Sequence, residues 1–331
     1  MNRARITSTG FYVPDNVVTN FDLEKIMDTS DQWIRERAGI IERRHVAQET
    51  GASDLALEAT KIVLHRANLQ PEDIDLLIFA TLSPEYQIPG SGVLLQAKLG
   101  IPGVPALDIR NQCTGFIYGL SIADQYIKTG MYKRILVVGS EVQSPAIDLS
   151  TRGRDIAVLF ADGAGAALVE PSENQEHGIL SAHLHADGRY AKELYVENPG
   201  MLHNPRLTHE MIEDGSIYPY MNGRMVFKHA VVNFCSAIDE CLKANDVSPD
   251  QVKLIIPHQA NLRITEAVAQ RYKMPMDRVF SNIHKYGNTT AASIPIALDE
   301  ALSEGRIESG DYIVLVAFGS GFTWGSILVR W

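Results

Sequence analysis

The sequence is poor in cysteine, has fewer basic than acidic residues, and contains no long unbroken apolar run. Its 331 residues include three cysteines: Cys113, Cys235 and Cys241. An odd count without Cys-x-x-Cys spacing argues against a disulfide framework and a zinc site, and suits a reducing cytoplasm. Thirty basic against forty acidic residues leave a net charge of −10. That balance disfavours a general role on nucleic acid or an anionic membrane, so any anionic partner has to meet a local basic patch. The first residues, Met1 to Pro14, include basic residues with no apolar stretch behind them, which is not a signal-peptide pattern. The segment closest to a membrane span, Tyr312 to Trp331, carries one charge, Arg330. Its five glycines and serines divide it into two short strands and a turn, so no spanning helix is expected there. What remains is 45% apolar and 21% charged. This is a soluble globular composition with ample material for a dry core, long enough for two domains or one large α/β domain.

An internal repeat is present. Pro71-Glu-Asp-Ile-Asp-Leu-Leu-Ile78 aligns with Pro249-Asp-Gln-Val-Lys-Leu-Ile-Ile256, 178 positions later. Each copy follows an amphipathic helix ending in Ala-Asn. Gly130 to Ser140 aligns with Gly310 to Ser320 at an offset of 180. Two matches at nearly one offset imply two similar halves. Both halves alternate helical and strand patterns, which predicts α/β architecture with mostly parallel sheets. Apolar runs such as Leu76–Phe79, Ile135–Val138 and Ile313–Val316 read as strands covered on both faces. A polar, turn-rich stretch from Glu170 to Gly178 separates the halves, giving residues 1–170 and 171–331. The segment from Lys192 to Asn222 is rich in Pro, Gly and charge, and reads as an excursion over a functional surface.

Four segments carry chemistry. Val104–Arg110 reads as a strand, and Asn111-Gln-Cys-Thr-Gly115 turns into a helix with Phe116, Leu120, Ala123 and Ile127 on one face. Cys113 therefore sits at a helix N-terminus, where partial positive charge is expected to favour thiolate and lower the pKa. Taken alone, it reads more readily as a small buried hydrophobe, as Cys235 and Cys241 do in the helix from about Phe227 to Ala244. The mirror strand in the second half ends at Pro257-His258-Gln-Ala-Asn261-Leu-Arg263, where open α/β sheets place ligands. Tyr286-Gly-Asn288-Thr precedes a helix starting near Ser293. Phe318-Gly-Ser320-Gly-Phe-Thr-Trp-Gly325 is a glycine-rich turn able to present backbone N–H groups, and also a plain hairpin.

Together these four segments resemble the β-ketoacyl-acyl-carrier-protein synthase III family of thiolase-fold condensing enzymes. Asp31-Gln-Trp-Ile34, Gly39-Ile-Ile-Glu-Arg43 and Leu159-Phe-Ala-Asp-Gly-Ala-Gly165 extend the likeness over essentially the whole chain. The resemblance implies two mixed β-sheets layered between helices (αβαβα), which agrees with the duplication. It also implies decarboxylative Claisen condensation of an acyl-CoA with malonyl-acyl-carrier protein, through an acyl-cysteine and without a cofactor or metal.

By that resemblance Cys113 is the nucleophile, and the N–H groups of Cys113 and Ser320 hold the oxyanion. The family usually has Gly or Ala at position 320. A backbone donor survives that change, while the hydroxyl alters local water or packing. His258, neutral, and Asn288 are implied donors to the enolate, with Phe318 beside the leaving carbon dioxide. Trp33 and Arg154 are the implied adenine sandwich and Arg37 the phosphate contact. Gly223, Arg224 and Asn261 line the pantetheine passage, while Arg263 and Lys228 face the carrier protein. A homodimer is implied, with residues near Ile88 reaching the partner's pocket. Asn288 stands where elongating synthases have a second histidine, and no matching motif supplies the glutamate base of hydroxymethylglutaryl-CoA synthases. Asn111-Gln112 replaces the small residues common before the cysteine. A polyketide- or alkylquinolone-type initiating synthase with the same Cys-His-Asn set, and a non-catalytic thiolase-fold binding protein, remain as alternatives.

Overall fold

The computed structural model describes residues 2–331. In the first half the strands are β1 (Ala4–Tyr12), β2 (Val17–Thr19), β3 (Glu42–Arg44), β4 (Leu76–Ala80), β5 (Ala106–Ile109), β6 (Ile135–Glu141) and β7 (Gly163–Pro171). The helices between them are α1 (Asn20–Glu24), α2 (Asp31–Ala38), α3 (Ala52–Ala67), α4 (Ser91–Leu99), α5 (Gly115–Thr129) and α6 (Arg154–Ala157). The second half has β8 (Gly178–Ala186), β9 (Leu194–Tyr195), β10 (Tyr220–Met221), β11 (Val252–Pro257), β12 (Tyr312–Gly319) and β13 (Thr323–Arg330). Its helices are α7 (His209–Glu213), α8 (Gly223–Ala244), α9 (Leu262–Tyr272), α10 (Ile283–Tyr286) and α11 (Ser293–Ser303).

Two sheets result, ordered β1-β7-β6-β4-β5 and β11-β12-β13-β8. They are mixed, not mostly parallel. β4 runs parallel to β5 and β6, and β11 to β12, while β1–β7, β6–β7, β12–β13 and β13–β8 are antiparallel. The tight turn after β12 forces an antiparallel return, because only a long crossover joins parallel neighbours. Helix α5 presents Phe116, Leu120, Ala123 and Ile127, all fully buried, to Ile78 and Val137 of one sheet and Leu315 and Ile327 of the other. With α11 it forms the middle layer; α3 covers the outside of the first sheet and α8 and α9 the outside of the second. Burying a side chain such as Phe116 contributes about 2 kcal/mol, so this shared layer is a main source of cohesion. No helix among the described residues is long and apolar enough to cross a membrane.

The repeat is physical. Asp73 accepts the Gln70 N–H (2.8 Å) at the turn before β4, and Gln251 accepts the Ser248 N–H (2.8 Å) at the turn before β11. A further pair lies 178 positions apart: Gln112 and Thr290 both hold φ near +45° (47° and 44°). Each opens a 3₁₀ turn that runs into a middle-layer helix. A positive φ is costly for a β-branched residue, so surrounding structure has to enforce it. At Thr290 that structure is Asn288 Oδ1, accepting its N–H (2.9 Å), and Gln143 Nε2, donating to its hydroxyl (3.3 Å).

Candidate active site

The strand ends converge on one cavity of about 610 Å³ whose lining includes Cys113, His258, Asn288 and Phe318. Close approach is built in. A Cβ on Gly319 would lie 2.8 Å from Cys113 Cβ, so only glycine lets β12 pass the cysteine. The backbone N–H groups of Cys113 and Ser320 both donate toward the sulfur.

The thiol is not lowered as its helix start predicts. Burial and the Glu141 carboxylate push Cys113 up to about 12, and the two N–H donors offset only part of this. Glu141 is itself fully buried, with its pKa raised by burial against the bonds from Ser83 Oγ (2.6 Å) and Thr81 Oγ1 (3.1 Å).

His258 continues β11, its N–H donating to Val316 C=O (2.8 Å). Burial lowers its pKa to about 3, so the imidazole is neutral. Ser293 Oγ accepts the Gln259 N–H (3.3 Å) and lies 2.7 Å from His258 Nδ1. The Ser293 hydroxyl is within reach to donate to Nδ1, and in that tautomer the ring proton sits on Nε2. Asn288 is gripped by the Leu159–Gly165 segment. Its N–H donates to Leu159 C=O (2.8 Å) and its C=O accepts from Ala161 (3.0 Å). Because Oδ1 takes the Thr290 N–H, the carboxamide keeps Nδ2 as a free donor.

Toward the opening, Trp33 lies under two guanidinium groups, Arg37 at 5.0 Å and Arg154 at 5.5 Å from the ring centroid. Trp33 also packs on the cluster around Ile34 and Ile40, so its packing role holds as well. Trp33, Arg37, Gly223, Arg224, Asn261 and Arg263 line the cavity, whereas Arg154 and Lys228 stand outside it. Ser320 reaches the sulfur through its backbone alone. The Asn261 carboxamide is already committed: Oδ1 caps α9 at the Arg263 N–H (2.9 Å) and Nδ2 donates to Arg37 C=O (2.8 Å). Exposed Arg263 rests over Phe227 at 5.4 Å. Helix α8 begins at Gly223, earlier than its apolar pattern, because its first turn faces the opening and Asn222 caps it (3.3 Å to Met225 N–H).

Sequence reasoning missed Glu141, Ser293, Leu194 and Met221. The first follows an apolar run and shows no motif; Ser293 looks like the start of a helix and nothing more. Leu194 and Met221 pair in a short ribbon within an aperiodic stretch.

A buried thiol with backbone donors at its sulfur, facing a neutral imidazole and a carboxamide across one cavity of a duplicated two-sheet frame, has the arrangement of the thiolase-fold condensing acyltransferases. Residues 107–188 match the family model described as 3-oxoacyl-[acyl-carrier-protein (ACP)] synthase III, and residues 242–331 match that of its C terminal. The chain is 47% identical to β-ketoacyl-[acyl-carrier-protein] synthase III of Caldanaerobacter subterraneus over 99% of its length and 98% of the relative's. The crystal structure of 3-oxoacyl-[acyl-carrier-protein] synthase III from Aquifex aeolicus superposes with a TM-score of 0.91 at 46% identity, covering 99% and 100% of the two chains. The priming β-ketosynthase of the R1128 polyketide pathway superposes with a TM-score of 0.90 at 29% identity, covering 99% and 96%. The chain belongs to the β-ketoacyl-acyl-carrier-protein synthase III family.

Proposed function

We propose that this enzyme condenses an acyl-CoA with malonyl-acyl-carrier protein and so starts fatty acid synthesis. The observation that carries the reading is the meeting of Cys113, neutral His258 and Asn288 in one cavity. The Cys113 sulfur bonds to the thioester carbonyl carbon, the oxyanion rests on the N–H groups of residues 113 and 320, and CoA leaves as its thiol with the cysteine's proton. Malonyl thioester then loses carbon dioxide. The electron pair left behind forms an enolate whose oxygen accepts from His258 Nε2 and Asn288 Nδ2. The enolate carbon attacks the acyl carbon, the sulfur departs as thiolate, and solvent reprotonates it. Phe318 keeps water from the leaving carbon dioxide. These steps balance with the thiol and two thioesters, so the reading includes no cofactor or metal.

Trp33, Arg37 and Arg154 are assigned to the nucleotide end of CoA, Gly223 and Arg224 to the passage, and Arg263 with Lys228 to the acidic carrier protein. Asn261 serves the passage by fixing α9 against α2. We assign the cysteine to the half at 1–170, His258 and Asn288 to that at 171–331, and the enzyme to the cytoplasm, which keeps its thiols reduced. A homodimer fits β5, an unpaired sheet edge, beside Ile88, which is 88% exposed. The polyketide-priming alternative uses the same Cys-His-Asn set; the chain is 29% identical to the polyketide priming synthase and 46–47% identical to the two synthase III relatives named above.

The test is an acyl-CoA panel read by intact mass. The wild type gains one acyl group and Cys113→Ala gains none. No adduct from any chain length contradicts the reading and favours a binding protein.

A further inference from the structure

Ser320 follows Gly319 in the turn between β12 and β13, and its N–H points at the Cys113 sulfur. Its side chain leaves in another direction, where Oγ donates to the carbonyl oxygen of Leu194. Leu194 pairs with Met221 across the β9–β10 ribbon, and both line the cavity. The ribbon continues through the Asn222 N–H to Glu193 C=O bond (2.8 Å) into the start of α8, where Gly223 and Arg224 border the opening. One hydroxyl thus joins a wall of the cavity to a backbone donor at the sulfur.

The duplicate position gives a contrast. Ser140, 180 residues earlier, follows Gly139 near the end of β6, and its Oγ donates to Ala52 C=O (2.7 Å) in the buried start of α3. There the hydroxyl braces scaffold; at Ser320 it braces the site. The other supports of the turn act two and three residues further on. Phe322 exchanges backbone hydrogen bonds with Asp187 (2.8 and 2.7 Å) and stacks on Tyr190 (5.2 Å). Thr323 Oγ1 lies 2.9 Å from Thr114 Oγ1. Among the described residues, Ser320 Oγ is the side-chain hydrogen bond from the turn to the ribbon.

We propose that the Ser320 side chain is a positioning residue for acyl transfer. Its tether to Leu194 sets the residue-320 N–H against the carbonyl of a thioester seated on the Leu194–Met221 wall. This deepens the proposed function and rests on it. As the Cys113 sulfur bonds to the carbonyl carbon, a pair of electrons moves to the oxygen, and collapse expels the CoA sulfur with the thiol proton. The N–H of residue 320 acts on that transient oxyanion, where donor placement counts most. Alkylation by iodoacetamide forms no oxyanion, since the sulfur displaces iodide at a saturated carbon.

The test compares Ser320→Ala, which keeps the N–H, with the wild type and Ser320→Thr, which keeps the hydroxyl. Single-turnover acylation is followed with acetyl-, butyryl- and octanoyl-CoA, and alkylation with iodoacetamide. Ser320→Ala is expected to lower the saturated acylation rate about tenfold, the effect of one lost hydrogen bond. The half-saturating acyl-CoA concentration and the alkylation rate of Ser320→Ala stay at wild-type values, and Ser320→Thr acylates faster than Ser320→Ala. Unchanged acylation in Ser320→Ala overturns the proposal, and so does a parallel loss of acylation and alkylation. A wild type that iodoacetamide alkylates but none of the three acyl-CoAs acylates overturns the function itself, and the positioning role with it.

Discussion

The turn that opens α5 and the turn that opens α11 are the same device used twice. Each has a residue held at positive φ, a 3₁₀ turn and a helix of the middle layer. Each rests against a glycine of the opposite half. A Cβ on Gly319 would strike Cys113 at 2.8 Å, and one on Gly139 would strike Ala291 O at 2.4 Å. The two turns differ in what they carry: one a thiol, the other the Asn288 carboxamide and the Ser293 hydroxyl that hydrogen-bonds His258. Burial also acts on the halves with opposite sign. It raises the Cys113 thiol and lowers the His258 imidazolium, because it disfavours whichever form is charged. Duplication supplied the geometry, and in the proposed function a few side chains divide the labour between nucleophile and donors.

The sharpest way to break that division is to remove the donors. His258→Ala and Asn288→Ala are each expected to slow condensation by about 10²–10³ while Cys113 is still acylated, measured by product formation beside intact mass. Equal loss of both steps would erase the division. Next come the paired glycines. Gly319→Ala should slow acylation about 10²-fold by displacing Cys113, since small misplacements near reacting atoms cost that much. Gly139→Ala should instead cost about 1–3 kcal/mol of stability through overpacking against backbone, read from denaturant unfolding.

Titration separates the halves more gently. Condensation on pre-acylated enzyme should show no inflection near pH 6.5, while alkylation of Cys113 should climb through pH 9 without a plateau. An inflection near 6.5 would mean that His258 titrates like an exposed histidine. The native pKa of about 3 lies below the unfolded value of 6.5, so the unfolded chain takes up a proton that the native state refuses. Stability is therefore lost as pH falls from 6.5 toward 3, by about 1.4 kcal/mol per unit from this group. The smallest effect belongs to Asn261→Ala, about 1 kcal/mol of stability from the lost helix cap, with a small rise in the half-saturating acyl-CoA concentration as α9 loosens from α2.

Much of this was legible. The 178-residue offset announced two halves, His258 was placed by its strand signal, and Asn288, whose segment alone reads as a helix-capping loop, was placed by the family resemblance. The direction of the thiol shift was not legible, because the burial of Cys113, and after it the charge of Glu141 at the end of β6, follow from tertiary packing that local pattern does not encode. The mixed sheets were implied by the family resemblance but not by local pattern, since a buried antiparallel strand such as β7 reads as the same apolar run as a parallel one. Gly319 looked like a turn residue, and its closeness to Cys113 exists only once the second sheet meets the first. The β9–β10 ribbon lies in a stretch whose polar composition concealed Leu194 and Met221.

The central claim is that a sulfur from one half and two neutral donors from the other act on one acyl group in turn. Chasing pre-acylated enzyme with malonyl-acyl-carrier protein in a single turnover tests it most directly. The account predicts loss of the acyl mass from Cys113 with one carbon dioxide released per ketoacyl product, and a persistent adduct in Asn288→Ala. Release of carbon dioxide with the adduct intact, or its loss as free acid without a ketoacyl product, would contradict it.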